Sequence, residues 1–238
     1  MWTYSEFIIF FGIYSFLGWM LETIYASFNE RKIVNRGFLT GFFCPIYGFG
    51  AILTVMISSF IKFSFENPII NIGLSVIFSI FIVTVLEYIT GFILEAIFDC
   101  KWWDYSDDAA NVHGYICLKY SILWGVLAFV LVESIHPIIS SIVFNISATT
   151  KEKISIFLLM YFMLDTIKSV IDALELRNVI INYSNISINK YYEKIVKYKR
   201  LILAFPRLII LNRDIRRNLN DRFYKIKLEI KNKIQGFL

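Results

Sequence analysis

Residues 31–50 read RKIVNRGFLTGFFCPIYGFG, a basic loop with several glycines that separates two long apolar segments. An apolar segment of about 20 residues is long enough to cross the hydrocarbon core of a bilayer as a helix. Loops with charged and aromatic side chains are costly at membrane depth unless the protein uses them. We therefore predict a membrane-spanning helix on each side of this loop and expect functional residues within the loop.

The composition of the whole chain is that of a membrane protein. Of its 238 residues, 57% are hydrophobic and 18% aromatic, and the mean hydropathy is +0.61. Soluble domains are typically about 45–50% apolar. We therefore predict an all-α polytopic membrane protein. Its five predicted spans are residues 7–28, 42–61, 69–88 with a helical continuation to 98, 116–135 and 154–171. The first span lacks a basic leader and a cleavage site, so we expect it to be retained.

Charge divides the chain into two predicted regions. Residues 1–175 contain 9 lysines and arginines against 15 acidic residues, whereas residues 176–238 contain 15 against 4. We predict a transmembrane helical domain over residues 1–175 and a basic amphipathic helical tail over residues 176–238. Under the positive-inside rule the tail lies in the cytoplasm, so five spans place the N-terminus outside the cell membrane. This topology puts 20 basic residues inside and 3 outside, with Lys168 omitted because it lies within the fifth span.

The tail predicts contact with the lipid bilayer. Aromatic and aliphatic residues alternate with lysines and arginines over residues 190–200 and 222–233. Basic amphipathic helices of this kind lie on anionic lipid headgroups. Nucleic acid is the alternative partner for a basic segment, and it is less favoured because this tail is tethered beside a membrane.

Carboxylates inside the predicted spans are the first candidate site residues. Glu22 lies near the cytoplasmic end of the first span, and Glu87, Gly91 and Glu95 form one stripe on the third helix. Intramembrane carboxylates usually line a cavity or pair with a cation. Arg36 is a candidate cation in the first loop. The pattern leaves three interpretations open: a structural glutamate–arginine lock, a substrate or ion site, and simple exposure to solvent.

The two cytoplasmic loops supply the remaining candidates. Asn35, Arg36 and the following glycines could hold an anion such as a phosphate headgroup, or they could form a re-entrant turn without a ligand. In the second loop Trp103 and Tyr105 are typical interfacial anchors. Asp104 opens a group of polar residues that could bind a metal or act as acid and base, namely Asp104, Asp107, Asp108, Asn111 and His113.

No known cofactor signature accompanies these residues. The spacing of the carboxylates and His113 matches no metal motif, and the chain contains no nucleotide-binding or zinc motif. We therefore predict no cofactor and no metal. The three cysteines, Cys44, Cys100 and Cys117, form no CxxC pair and are interpreted as structural thiols. On the fifth span Asp165, Lys168 and Asp172 share one face and predict an internal charge pair, with a transport role as the alternative.

Several motifs in order resemble a known family. GWMLE at 18–22, VNRGFL at 34–39 and PIYGFG at 45–50 are followed by LEYITG at 86–91, WWDYS at 102–106 and GYICL at 114–118. Together they resemble the CmpB-like family of ABC-transporter type IV membrane proteins, over residues 7–135. The family usually has Gly-Pro where this chain has Gly41-Phe42. The resemblance implies a permease-like subunit that works with a separate ATPase subunit.

Three functions remain open from the sequence. The first is an ABC-transporter permease-like subunit with a polar site on the cytoplasmic side. The second is a membrane-embedded enzyme that acts on a lipid or lipid-linked phosphate, with Arg36 holding the phosphate. The third is a non-catalytic membrane scaffold. The predicted substrate-binding residues are Glu22, Asn35, Arg36, Glu87, Glu95, Trp103, Asp104 and Tyr105. We expect Arg36 to reach Glu22, Glu87 or Glu95 across a cavity framed by Gly37, Gly41 and Gly91.

Overall fold

The computed structural model describes residues 2–31, 33–181, 197–205 and 209–210. The helices are α1 Tyr4–Glu30, α2 Pro45–Ser64, α3 Pro68–Phe98, α4 Leu118–Val130, α5 His136–Phe144, α6 Ala148–Ile181 and α7 Lys199–Ala204. A π-helical segment, Leu131–Ile135, joins α4 directly to α5. Two short strands, β1 Cys100–Lys101 and β2 Ile209–Ile210, pair antiparallel.

Within the part of the chain that the structure describes, five helical segments are long and apolar enough to cross a membrane, which confirms the predicted number of spans. They are Tyr4–Phe28, Pro45–Ser64, Pro68–Phe98, Leu118–Phe144 and Ala148–Asn178. The chain is therefore an all-α, multi-pass membrane protein. The predicted fourth span was too short, because the helix continues past Ile135 to Phe144. Pro137 is tolerated there because it occupies the first turn of α5, directly after the π-helical segment.

The helix ends follow local sequence signals. Thr3 and Glu6 form a capping box at the start of α1, in which each side chain accepts a hydrogen bond from the other residue's backbone N–H. The side chain of Asn67 accepts hydrogen bonds from the first backbone N–H groups of α3. Pro45 and Pro68 lie in the first turns of α2 and α3, where a missing N–H costs little.

Small residues bring α1 and α2 into close contact. A Cβ atom on Gly18 would lie 2.2 Å from Cβ of Tyr47, and one on Gly48 would lie 2.2 Å from Oγ of Ser15. Without a hydrophobic driving force between helices in lipid, close backbone approach at small residues is a main source of association. The two glycines therefore set the distance between the helices that flank the first loop.

The described part of the tail packs against the loop end of the bundle. Tyr198 and Leu201 are buried in one apolar cluster with Phe98, Trp102 and Leu176. The helix α6 continues through the predicted domain boundary at residue 175 and ends at Ile181. The predicted basic amphipathic segments at 190–200 and 222–233 lie mostly outside the described residues.

The contact between α1 and α2 gives a prediction for stability. Gly18→Ala places a methyl group against the fixed base of the Tyr47 side chain, and overpacking of this kind typically costs about 1–3 kcal/mol. We expect a lower midpoint of thermal unfolding for the purified protein in detergent.

Gly73→Ala is the matched control, because a Cβ atom on this glycine of α3 meets nothing within 4 Å. Alanine is the better helix former by up to about 1 kcal/mol, so the midpoint should stay or rise. An equal midpoint for both variants would contradict the proposed packing of α1 on α2.

Candidate functional site

The first loop, residues 33–44, is held at its N–H groups by two buried side chains of α6. The backbone N–H of Thr40 donates to Oδ1 of Asp165 at 3.1 Å and to Oγ of Ser169 at 2.8 Å. The N–H of Gly41 donates to Oδ2 of Asp165 at 3.0 Å. Asp165 is only 7% exposed. The carboxylate that the sequence assigned to an internal charge pair therefore anchors the loop.

The carbonyl groups of the same loop are held by Asn35 and Arg200. Asn35 Nδ2 donates to the carbonyl of Thr40 at 3.1 Å, while its Oδ1 accepts from Nε1 of Trp19 at 2.7 Å. The guanidinium of Arg200 donates to the three successive carbonyls of residues 37–39 at 2.9 to 3.2 Å. Burial lowers the pKa of Arg200, and the nearby carboxylates of α6 oppose that shift. In this structure both side chains satisfy loop backbone.

Arg36 forms an ion pair with Glu22 at the edge of the bundle. Nε of Arg36 lies 3.4 Å from Oε2 of Glu22, and the two side chains are 31% and 28% exposed. The hydroxyl of Tyr47 donates to Oε1 of Glu22 at 2.6 Å. The guanidinium also lies over the ring of Tyr25, 5.9 Å from its centroid. Of the three carboxylates considered for Arg36, the structure thus pairs it with Glu22.

Glu87 is a buried carboxylate that is bound by neutral donors. It is 4% exposed. Nε1 of Trp124 donates to it at 2.9 Å, and the hydroxyl of Tyr105 approaches it at 3.5 Å, a long hydrogen bond. The ring of Tyr105 stacks on that of Tyr120 with 4.6 Å between centroids. No basic side chain among the described residues forms an ion pair with Glu87.

The Arg36–Glu22 ion pair and the buried Glu87 carboxylate belong to one polar cluster. The cluster consists of Glu22, Arg36, Tyr47, Glu87, Tyr105 and Trp124. The rings of Tyr47 and Trp124 meet edge to face at 5.3 Å and link the two carboxylates. Burial raises the pKa of the Tyr105 hydroxyl far above its usual range, and the negative charges of Glu87 and Glu22 both add to the shift. The cluster therefore brings together four of the predicted site residues: Glu22, Arg36, Glu87 and Tyr105.

Glu95 and Trp103 lie in a second group, closer to the end of α3. The hydroxyl of Tyr115 donates to Oε2 of Glu95 at 2.7 Å, and Nε1 of Trp103 donates to the carbonyl of Tyr115 at 2.8 Å. Burial and the bond to Glu95 raise the pKa of Tyr115 to about 12. A Cβ atom on Gly91 would lie 3.0 Å from the Tyr115 ring. This group fastens the second loop onto α3.

Asp104 shapes the second loop. Its Oδ1 accepts from the backbone N–H of Ser106 at 3.2 Å and from its hydroxyl at 2.6 Å, and Lys101 lies 3.7 Å away. Gly114 has a φ of +74°, and a Cβ atom there would collide with Asp104. Within the ranges that the structure describes, no three His, Cys, Asp or Glu side chains are grouped to hold a metal ion. His113 instead shares a hydrogen bond of 3.1 Å with the hydroxyl of Tyr88.

The predicted frame of three glycines is wrong in its geometry. A Cβ atom on Gly41 would lie 1.9 Å from the hydroxyl of Tyr161 on α6, whereas Gly91 is covered by Tyr115. Gly37 faces Trp19 and loop carbonyls. Each glycine therefore allows a separate close contact, and they do not surround a common opening.

Sequence reasoning missed two members of the cluster, Tyr47 and Trp124, and the role of Asp165. Tyr47 lies within the motif PIYGFG at 45–50. Trp124 is a tryptophan in the middle of an apolar span, away from the interfacial positions where this residue is usual. A polar ring nitrogen at that depth requires a buried acceptor, so Trp124 was a signal for a buried polar partner.

Comparison with known proteins identifies the family. A sequence model of the family described as "Putative ABC-transporter type IV" matches residues 9–170. No curated protein and no solved structure matches the chain. The family match covers more than half of the chain, so the protein belongs to this family of ABC-transporter-type membrane proteins.

Proposed function

We propose that this protein is a permease-like subunit of an ABC transporter, with a substrate-binding polar site on the cytoplasmic side that includes Glu22, Arg36, Glu87 and Tyr105. Membership of the family supports the transport role. The observation that carries the site is Glu87, a buried carboxylate in a membrane span that is held by an indole N–H and a phenol. Intramembrane ionisable groups are costly and commonly mark a substrate or ion pathway.

The ion pair beside Glu87 supplies the second part of the proposed site. Arg36 and Glu22 are about one-third exposed, so the pair contributes little to stability, about 0–1 kcal/mol for pairs of this kind. A weak, accessible pair can exchange partners when a charged ligand arrives. Asn35, Glu95, Trp103 and Asp104 then act as positioning residues that hold the two loops around the cluster.

A separate ATPase subunit supplies the energy in this proposal. The chain contains no nucleotide-binding motif, so a transporter of this type needs a soluble partner. Residues 197–205, the described part of the tail, lie beside both proposed cytoplasmic loops, since Leu201 packs against Trp102 and Arg200 bonds to the carbonyl of Gly37. This end offers the docking side for such a partner.

Two substitutions at Glu87 separate structure from function. Glu87→Ala leaves the Trp124 N–H unpaired in a buried position, which typically costs about 1–3 kcal/mol. Glu87→Gln keeps an acceptor oxygen and removes the charge, so its thermal midpoint should remain close to that of the native chain. We expect both variants to lose the stimulation of ATP hydrolysis that the native chain gives the ATPase subunit that co-purifies with it.

Full stimulation by a stable Glu87→Gln variant would contradict a role for this carboxylate in transport. Arg31→Ala, which changes an arginine outside the cluster, is the control and should retain stimulation, whereas Arg36→Ala should reduce it. If no ATPase subunit forms a complex with the native protein, and the purified protein turns over a phosphorylated lipid in an Arg36-dependent reaction, the enzyme alternative replaces this proposal.

The orientation is the second testable part of the proposal. The N-terminus lies outside and the tail lies in the cytoplasm, because the basic residues concentrate in the tail and in the two loops at its end. The outer lysine Lys151 is paired with Glu6 at 2.6 Å. In a variant without native cysteines, single cysteines at Lys153 and Gln235 should react with impermeant reagents from opposite sides of the membrane. Reaction of both from the same side would refute the topology.

A further inference from the structure

One short segment of the tail contacts both loops that contribute to the polar cluster. Residues 197–205, which we call the strap, contain α7 and end at Phe205. Tyr198, Leu201 and Ala204 are buried, with exposed fractions of 5%, 2% and 0%. Segments that move easily have few buried apolar contacts. The strap has several, and it is therefore seated on the loop end of the bundle.

The strap holds the first loop through Arg200. Its guanidinium donates to the carbonyls of Gly37 and Leu39 at 2.9 and 3.0 Å, and to that of Phe38 at 3.2 Å. A guanidinium has five N–H donors in a fixed planar arrangement, so it can serve several acceptors at once. Asp165 accepts from the N–H groups of the two residues that follow. The loop backbone is therefore held at its carbonyls by the tail and at its N–H groups by α6.

Arg36 directly precedes the three carbonyls that Arg200 binds. Its own backbone N–H makes a weak bond, 3.5 Å from Oγ1 of Thr23. Its side chain reaches Glu22 at the edge of the bundle, where both groups are about one-third exposed. Because these contacts of Arg36 are weak, the position of its guanidinium depends on the neighbouring loop backbone. The turn at residues 37–39 is the part of that backbone which the strap controls.

The strap holds the second loop through Trp102. The ring of Phe205 meets that of Trp102 edge to face, with 4.8 Å between centroids, and Leu201 packs in the same apolar cluster. Trp102 is buried and lies three residues before Tyr105, whose hydroxyl is 3.5 Å from the carboxylate of Glu87. A contact of that length is at the limit of a hydrogen bond. A small shift of the second loop is therefore enough to break it.

We propose that the strap is a latch that fixes both loops of the polar cluster, with Arg200 as a positioning residue. While the strap is seated, Arg36 lies against Glu22. The same strap keeps the hydroxyl of Tyr105 beside Glu87. A soluble partner that binds the tail and draws the strap away releases both loops together, so the tail connects such a partner to the site.

The latch adds regulation to the proposed function and rests on it for the identity of the site. The strap lies beyond residues 9–170, the part of the chain that matches the family, so the family match does not imply it. The positions of the loops can be measured without a substrate and without an ATPase subunit. The latch can therefore fail while the transport role of Glu87 stands, and the reverse is also possible.

The first measurement is the distance between the two loops in the full chain in lipid nanodiscs. Spin labels are attached to cysteines at the exposed positions Ile33 and Ala109, in a variant without native cysteines. We expect one narrow distance distribution with the native strap and a broader one in Arg200→Gln, because one amide cannot serve three carbonyls. A control pair at Glu66 and Ser147, in the connections of α2 to α3 and of α5 to α6, should be unchanged.

The second measurement is the rate at which phenylglyoxal modifies Arg36, followed by mass spectrometry of the peptide that contains it. The ion pair with Glu22 protects the guanidinium in the native chain. In Arg200→Gln we expect the rate to rise about two- to fivefold, the strength of an exposed ion pair. Arg31 is exposed and lies outside the cluster, so its rate should stay constant and serves as the internal reference.

Two further variants separate the contacts of the strap. Lys197→Gln is the matched control, because Lys197 belongs to the strap and pairs with Glu175 of α6 through an exposed side chain. Both measurements should give native values in this variant. Phe205→Ala removes the ring contact to Trp102 and should broaden the loop distances. The rate at Arg36 should stay native in Phe205→Ala, because the first loop is still held.

Three results would overturn the proposal. The first is a native loop distance and a native rate at Arg36 in a folded Arg200→Gln variant. The second is an equal effect of Lys197→Gln, which indicates a general effect of charge. The third is a broader distribution for the control pair in Arg200→Gln, which indicates a role in the stability of the whole bundle. If Arg200→Gln does not fold, Phe205→Ala decides, because native loop distances in that variant also contradict the latch.

Discussion

The structure depends on the way in which the first loop satisfies its backbone groups. Loop residues 37–41 are buried or half-buried among the helices, where an unsatisfied N–H or C=O group is costly. Asp165 and Ser169 accept from the N–H groups, while Asn35 and Arg200 donate to the carbonyls. This network ties α1, α2, α6 and the described part of the tail into one end of the bundle.

The same end holds carboxylates in two different electrostatic settings. Asp165 is stabilised by two backbone N–H groups, and Glu22 has a guanidinium beside it. Glu87 instead relies on Trp124 and a long contact from Tyr105. Among these three groups it has the weakest compensation for burial. For this reason Glu87 is the centre of the proposed substrate site.

Much of the fold could be predicted from hydropathy and charge, because spans need about 20 apolar residues and this pattern is local. The sequence also predicted that Arg36 pairs with one of three glutamates, because the predicted topology places these groups at a similar depth on the same side. The end of the fourth span was not, since a π-helical segment absorbs Pro137 without ending the helix. The sequence did not predict that Asp165 and Arg200 anchor the loop, because their partners are backbone atoms over 120 residues away. Every residue has backbone N–H and C=O groups, so the sequence does not indicate which of them a side chain binds.

The central claim, that Asp165 holds the first loop, is tested most directly by amide hydrogen exchange in nanodiscs. A peptide that covers residues 38–44 reports on the N–H groups of Thr40 and Gly41. We expect these amides to be as protected as those of α1 in the native chain, and to exchange at least about tenfold faster in Asp165→Asn, the equivalent of about 1.4 kcal/mol. Glu152→Gln, an exposed neutralisation on the same helix, should leave them unchanged. Native exchange as fast as that of the exposed turn at residues 106–110, with no effect of Asp165→Asn, would contradict the account.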